Sequence, residues 1–174
     1  MSTSNADEIL YASNEPYPEI QISQKNLRYA RWMLDNMGGS DSEMSTISLY
    51  IYNNIICGEN FQELSNIFKK ISVVEMHHLK IFGKLSFLLG ENPRLWTKRG
   101  NRAIYWTPNY NHYTLELSRL MHNALNKELM AIKKYEQQIC AIKQENIVEN
   151  LKRIIQDEKI HVSILQQVII DYHL

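Results

Sequence analysis

Two glutamate–histidine pairs, Glu75-x-x-His78 and Glu158-x-x-His161, constrain this chain more than anything else in it. In each pair the residues stand three apart, so on a helix they share a face, one turn from each other. Both faces are otherwise apolar. Leu64, Phe68, Ile71, Glu75, His78, Phe82, Leu85 and Leu89 recur at alternating steps of four and three, as do Ile147, Leu151, Ile154, Glu158, His161, Leu165 and Val168. That spacing marks a buried bundle seam. A carboxylate is expensive to bury unless it is paired or binds a metal. A single Glu-x-x-His is more readily read as a surface pair or a helix salt bridge. Two copies, each the sole polar break in a core seam, point instead to a bundle holding a pair of metal ions. Such a bundle needs one further inward glutamate from each of two other helices.

The chain offers both. A helix over about 40–57 carries Glu43, Ile47, Tyr50, Asn54 and Cys57 on one stripe. A helix over about 113–142 carries Leu117, Met121, Ala124, Glu128, Ala131, Tyr135, Ile139 and Ile142. Glu43 also follows Ser40 by three residues, so a capping box is a second reading for it. Glu128 is mid-helix and has no capping role. The Glu-x-x-His helices span about 61–89 and 147–173, opened by Asn60 with Glu63 and by Asn146 with Glu149. Gly90 and Asn92-Pro93 close the first of them. Short turns make each pair of helices antiparallel neighbours. The link over 90–112 is long for a compact domain and is expected to cross the length of the bundle, with Trp96, Tyr105, Trp106 and Tyr110 packing it down. Before the bundle, residues 25–37 form a short amphipathic helix stopped by Gly38-Gly39, and Pro18 disfavours helix ahead of it. The expected organisation is all-α: an extended segment over 1–24, then one bundle domain over 25–174.

The two halves repeat. Glu75 follows Glu43 by 32 residues and Glu158 follows Glu128 by 30, and each single glutamate precedes a tyrosine, Tyr50 or Tyr135, by seven. Glu43, Glu75, His78, Glu128, Glu158 and His161 are the candidate ligands of two divalent first-row metals, the glutamates carrying catalysis through them. Four carboxylate charges offset two such ions. Asp157 can accept the free N–H of His78 across the bundle, or be a solvated helix charge. Tyr50 and Tyr135 can hydrogen-bond ligand carboxylates, or simply fill the core. His77 lies one step off the seam and reads as a surface or packing residue; His112, His122 and His173 belong to no motif. Spacing does not say which carboxylates bridge.

Composition narrows the alternatives. With 174 residues, 44% of them hydrophobic, the chain can bury a real core. Its formal net charge of zero leaves no footprint for nucleic acid or an anionic membrane. No run approaches the ~18 apolar residues of a membrane span, and the start has no basic-then-apolar secretory pattern. Two cysteines without a C-x-x-C pair suit a reducing, cytoplasmic setting.

With Glu43, Glu75-x-x-His78, Glu128 and Glu158-x-x-His161 in place, and flanks such as Tyr29-Ala30-Arg31 and Val74-Glu75-Met76-His77-His78, the sequence over roughly 17–170 resembles the ferritin-like di-metal carboxylate superfamily. Within it the similarity is to rubrerythrin-like and manganese-catalase-like proteins, including small ones related to spore coats. The resemblance implies a left-handed crossover four-helix bundle, an iron or manganese pair, and chemistry on hydrogen peroxide or dioxygen, of catalase or peroxidase type. It also implies a homo-oligomer and admits spore association. A metal-binding or coat protein without turnover is the alternative. Two features depart from rubrerythrins: Cys57 and Cys140 cannot supply a rubredoxin-like iron site, and Leu125 and Ala131 stand where an extra glutamate is usual. A peroxidase would then need an external electron donor, and disproportionation of peroxide is favoured. In the implied topology Cys57 and Cys140 lie roughly 35–40 Å apart, beyond disulfide reach.

Overall fold

The structure, a computed structural model, describes residues 10–100 and 102–174. Its helices are α1 (Leu27–Gly38), α2 (Glu43–Cys57), α3 (Gln62–Leu89), α4 (Leu117–Ala141) and α5 (Glu145–Asp171). A two-stranded hairpin, β1 (Trp96–Arg99) with β2 (Arg102–Tyr105), interrupts the link between α3 and α4. Among the described residues no helix is long and apolar enough to cross a membrane.

Where each apolar seam goes explains the architecture. Along α3, Leu64, Phe68 and Ile71 enter one apolar cluster while Phe82, Leu85 and Leu89 enter another. Along α5 the order is reversed: Ile147, Leu151 and Ile154 join the second of these, and Leu165 and Val168 the first. The two Glu-x-x-His helices are therefore antiparallel, and their polar turns fall in one layer between two dry cores. In α4, Met121 and Ala124 lie on one side of that layer and Tyr135 on the other, with Glu128 between them.

Helix α2 begins at this layer and fills only one core. The other is completed by α1, whose Tyr29, Ala30, Met33 and Met37 pack against α3 and α5 residues. Asn26 N–H bonds the Leu89 carbonyl at 3.2 Å, so α1 starts where α3 ends and runs back towards the layer. Helices α1 and α2 thus form one bundle column, broken at residues 39–42. The break is chemically marked: Gly39 caps α1, and Ser42 caps α2 through its side chain and Ser45 N–H. Ser40 takes no part in capping. The capping-box reading of Glu43 fails, because Glu43 is the first residue of α2 and its side chain is buried among the other acids.

Other ends also differ from expectation. Helix α4 starts at Leu117 rather than near 113, since Tyr113 and Thr114 are engaged with Ser48 and Tyr52 of α2. Neither α3 nor α5 has a side-chain cap; Gln144, before α5, instead accepts from Ser23 N–H at 2.9 Å. Gly90 closes α3 with φ of 113°, a left-handed value that suits glycine.

From α3 the link runs along α1 (Thr97 to Asp35, 3.3 Å), then along α2 (Trp106 to Ser45, 3.0 Å; Tyr52 to Thr114, 3.3 Å), before α4. It does cross the length of the bundle. Cys57 is buried in the cluster around Phe68, Cys140 is exposed beyond the layer beside the other core, and both are free thiols. Of the expected extended segment over 1–24, residues 1–9 lie outside the described residues; residues 10–24 carry no helix or strand and form a strap along α5.

Candidate metal centre

Glu43, Glu75, His78, Glu128, Glu158 and His161 all reach the polar layer, and none is more than 2% exposed. Their donor atoms form two overlapping groups, each with its atoms within 4.8 Å of one another: Glu43, Glu75, His78 and Glu158, and Glu75, Glu128, Glu158 and His161. Glu75 and Glu158 belong to both. Glu75 turns Oε2 to His78 Nδ1 and Oε1 to His161 Nδ1, each at 3.0 Å. Glu158 does the same with Oε1 and Oε2, each at 3.3 Å. Glu43 and Glu128 stand at opposite ends, one in each group.

The histidines are fixed from behind. His161 Nε2 lies 2.9 Å from the Tyr11 carbonyl, which can only accept, so Nε2 carries a proton. His78 Nε2 lies 3.0 Å from Asp157 Oδ2. Each imidazole therefore turns Nδ1, and its lone pair when neutral, towards the carboxylates. With both imidazoles neutral, lone pair would face lone pair there, and without a metal ion the layer must take up protons instead. Among the described residues, His161 Nδ1, Glu75 Oε1 and both oxygens of Glu158 have no hydrogen-bond partner despite these short distances, because the atoms converge on common points rather than aligning as donor and acceptor. Buried polar atoms are rarely left so. Cations at the convergence points resolve the conflict, and this donor set of carboxylate oxygen and imidazole nitrogen suits a first-row divalent pair.

Titration behaviour reflects the same crowding. Burial, then the charges of Glu75 and Glu158, push the Glu43 and Glu128 carboxyls well above the ordinary range. Burial also opposes ionisation of Glu75 and Glu158, but the imidazoles outweigh it and hold both low. Burial would lower His78 and His161; the surrounding carboxylates raise both well above the usual value.

The tyrosines pair crosswise. Tyr50 of α2 donates to Glu128 of α4, and Tyr135 of α4 donates to Glu43 of α2. Asp157 is wholly buried rather than solvated. His77 is exposed, its ring 4.4 Å from Tyr17, and has no place in the layer; His112, His122 and His173 are likewise absent from both groups. A narrow pocket of about 10 Å³, lined by Asp41, Ser42, Glu43, Thr46, Lys127, Glu128, Ala131 and Tyr135, opens between α2 and α4 onto the two outer glutamates. That volume is about enough for one water molecule.

The strap's contacts with the layer leave little trace in the sequence. Tyr17 OH donates to Asp157 Oδ2 at 2.5 Å and lies 3.3 Å from His78 Nε2; Arg153 bonds Asp157 Oδ1 at 2.6 Å. Arg153 was detectable as an i, i+4 partner of Asp157. Tyr17 belongs to no periodic pattern, and nothing in the sequence marks it.

A bundle with two antiparallel Glu-x-x-His helices, two further inward glutamates and a crossover link defines the ferritin-like carboxylate class. The chain belongs to the rubrerythrin family, whose model matches residues 39–169. Two solved structures of KatB, a manganese catalase from Anabaena, one of them described as wild type, are similar to it. Each has 20% identity and a TM-score of 0.79, over 94% of this chain and 81% of that one. No curated protein matches the sequence.

Proposed function

We propose that this protein is a di-metal oxidoreductase acting on hydrogen peroxide, with catalase-like disproportionation as its reaction. The observation that carries the reading is the set of buried polar atoms of Glu75, Glu158 and His161 that converge without partners among the described residues. Glu43, Glu75, His78 and Glu158 would hold one ion, and Glu75, Glu128, Glu158 and His161 the other. Bound there, two iron or manganese ions would supply a reversible two-electron store. Disproportionation balances within the substrate: one peroxide is oxidised to dioxygen while another is reduced to two waters. It needs no outside reductant. The narrow pocket admits a molecule little larger than water and directs it to Glu43 and Glu128. Tyr50 and Tyr135 keep those carboxylates in place with donated hydrogen bonds. The likeness to a manganese catalase supports the choice of substrate.

The test is to purify the protein without added metal, count iron, manganese and zinc per chain, and then follow oxygen evolution from peroxide. About two manganese or iron ions per chain with oxygen release is the expected result. Glu128→Ala and His161→Ala should each lose the ion they help hold, and activity with it. Two ions without turnover would leave a metal-binding or coat role. No metal, even after anaerobic reconstitution with Fe²⁺ or Mn²⁺, would overturn the reading.

A further inference from the structure

The strap touches both imidazoles from outside the bundle, and it does so unequally. His161 Nε2 donates to a peptide oxygen, Tyr11 C=O, at 2.9 Å. His78 Nε2 meets a carboxylate, Asp157 Oδ2, at 3.0 Å, and the strap secures that carboxylate from two directions. Tyr17 OH donates to Oδ2 at 2.5 Å and Ser13 N–H to Oδ1 at 2.7 Å. Arg153 closes the assembly, bonding Asp157 Oδ1 and the Ser13 and Glu15 carbonyls, with its guanidinium 4.1 Å above the Tyr17 ring.

The inequality has a sequence origin. In one half of the repeat the residue before the Glu-x-x-His glutamate is Asp157; in the other it is Val74, which has no side-chain acceptor. His161 therefore has no carboxylate behind it and takes a peptide oxygen from the strap. An anionic acceptor draws on the imidazole N–H more strongly than a neutral carbonyl, which makes the opposite nitrogen a better donor.

We propose that the strap is a working part of the metal centre: Tyr17 is a positioning residue for His78, acting through Asp157, and the ion held by His78 is bound more tightly than the ion held by His161. This rests on the di-metal reading above. The full chain, loaded with Mn²⁺, is equilibrated against increasing chelator, and manganese per chain is measured at each step. Release is expected in two steps of about one ion per chain, with His161→Ala removing only the weaker. Tyr17→Phe keeps the ring against Arg153 and His77 and removes only the hydroxyl. It should weaken the tighter step about 10-fold, the low end for loss of such a partner, and leave the weaker step in place. A merely structural role would shift both steps together or neither. Release in a single step, or a tighter step that Tyr17→Phe does not move, overturns this inference and leaves the di-metal reading standing. Failure of the wild-type chain to bind manganese or iron overturns both.

Discussion

Tyr50 and Tyr135 each stand seven residues after a layer glutamate, yet each serves the glutamate of the other half. Seven residues is about 10 Å along one helix, too far for a hydroxyl to reach back, while the antiparallel neighbour brings the opposite acid alongside. Tyr50→Phe should leave Glu128 without its donor and destabilise the metal-free protein by about 1–3 kcal/mol, measured by urea unfolding. The six layer residues were legible because a charge inside an apolar seam has few explanations; the crossed pairing was not, because it depends on how the halves face each other. Asp157 carries a pH prediction. Burial pushes its carboxyl up, but bonds from His78, Tyr17, Arg153 and Ser13 bring it down to about 2 from 3.8. A depressed acid contributes stability in full above its unfolded value and loses it as pH falls through the folded one. Metal-free protein should therefore weaken as pH drops from 3.8 towards 2, and Asp157→Asn should flatten that limb of the urea midpoint against pH. Cys57 has the opposite sign: burial raises its thiol to about 11, so it stays protonated at pH 8. Iodoacetamide at that pH should label the exposed Cys140 in the native protein and both cysteines only after unfolding.

Among the elements, the broken column of α1 and α2 determines where Glu43 can be. An unbroken helix would carry its backbone through the layer; the break at 39–42 instead places the start of α2, and the Glu43 side chain, at the centre. The break depends on the link packing close beside it. A methyl group on Gly38 would meet the Trp96 nitrogen at 2.9 Å and the Leu95 backbone at 3.0 Å, and backbone cannot swing aside. Gly38→Ala should destabilise the fold by about 1–3 kcal/mol, read from the same urea titration, although alanine is ordinarily the better helix former. The four bundle helices were legible from their seams, and the length of the link from the absence of one. Their ends were not: Asn60 and Asn146, expected to open α3 and α5, do not cap them, Gln144 at the start of α5 holds the strap instead, and Tyr113 is drawn to α2. The hairpin at Trp96–Tyr105 escaped because four-residue strands leave almost no periodic trace.

At the scale of the whole molecule, a charged layer divides the hydrophobic core in two, and every bundle helix passes through or begins at that layer. Bound ions would join the two cores and the metal-free protein must hold them together around four acids. Stripping the metal should therefore lower the melting temperature, by roughly 10–20 °C if free metal stood near 100 times Kd at both sites, because that occupancy contributes about 2.7 kcal/mol per site. Differential scanning calorimetry before and after chelation measures it. Re-adding Mn²⁺ should restore the loss.

The strap also sets an order of events during synthesis. Ser13, Tyr17 and Tyr11 bond to groups 144, 140 and 150 residues further along the chain. On the ribosome those partners do not yet exist when the strap emerges. The first Glu-x-x-His helix can be complete, with Glu43 beside it, while the strap still has nothing to hold. Only when α5 has been made can the strap close over it, so the side of the centre behind the histidines is shut after the first Glu-x-x-His helix is in place.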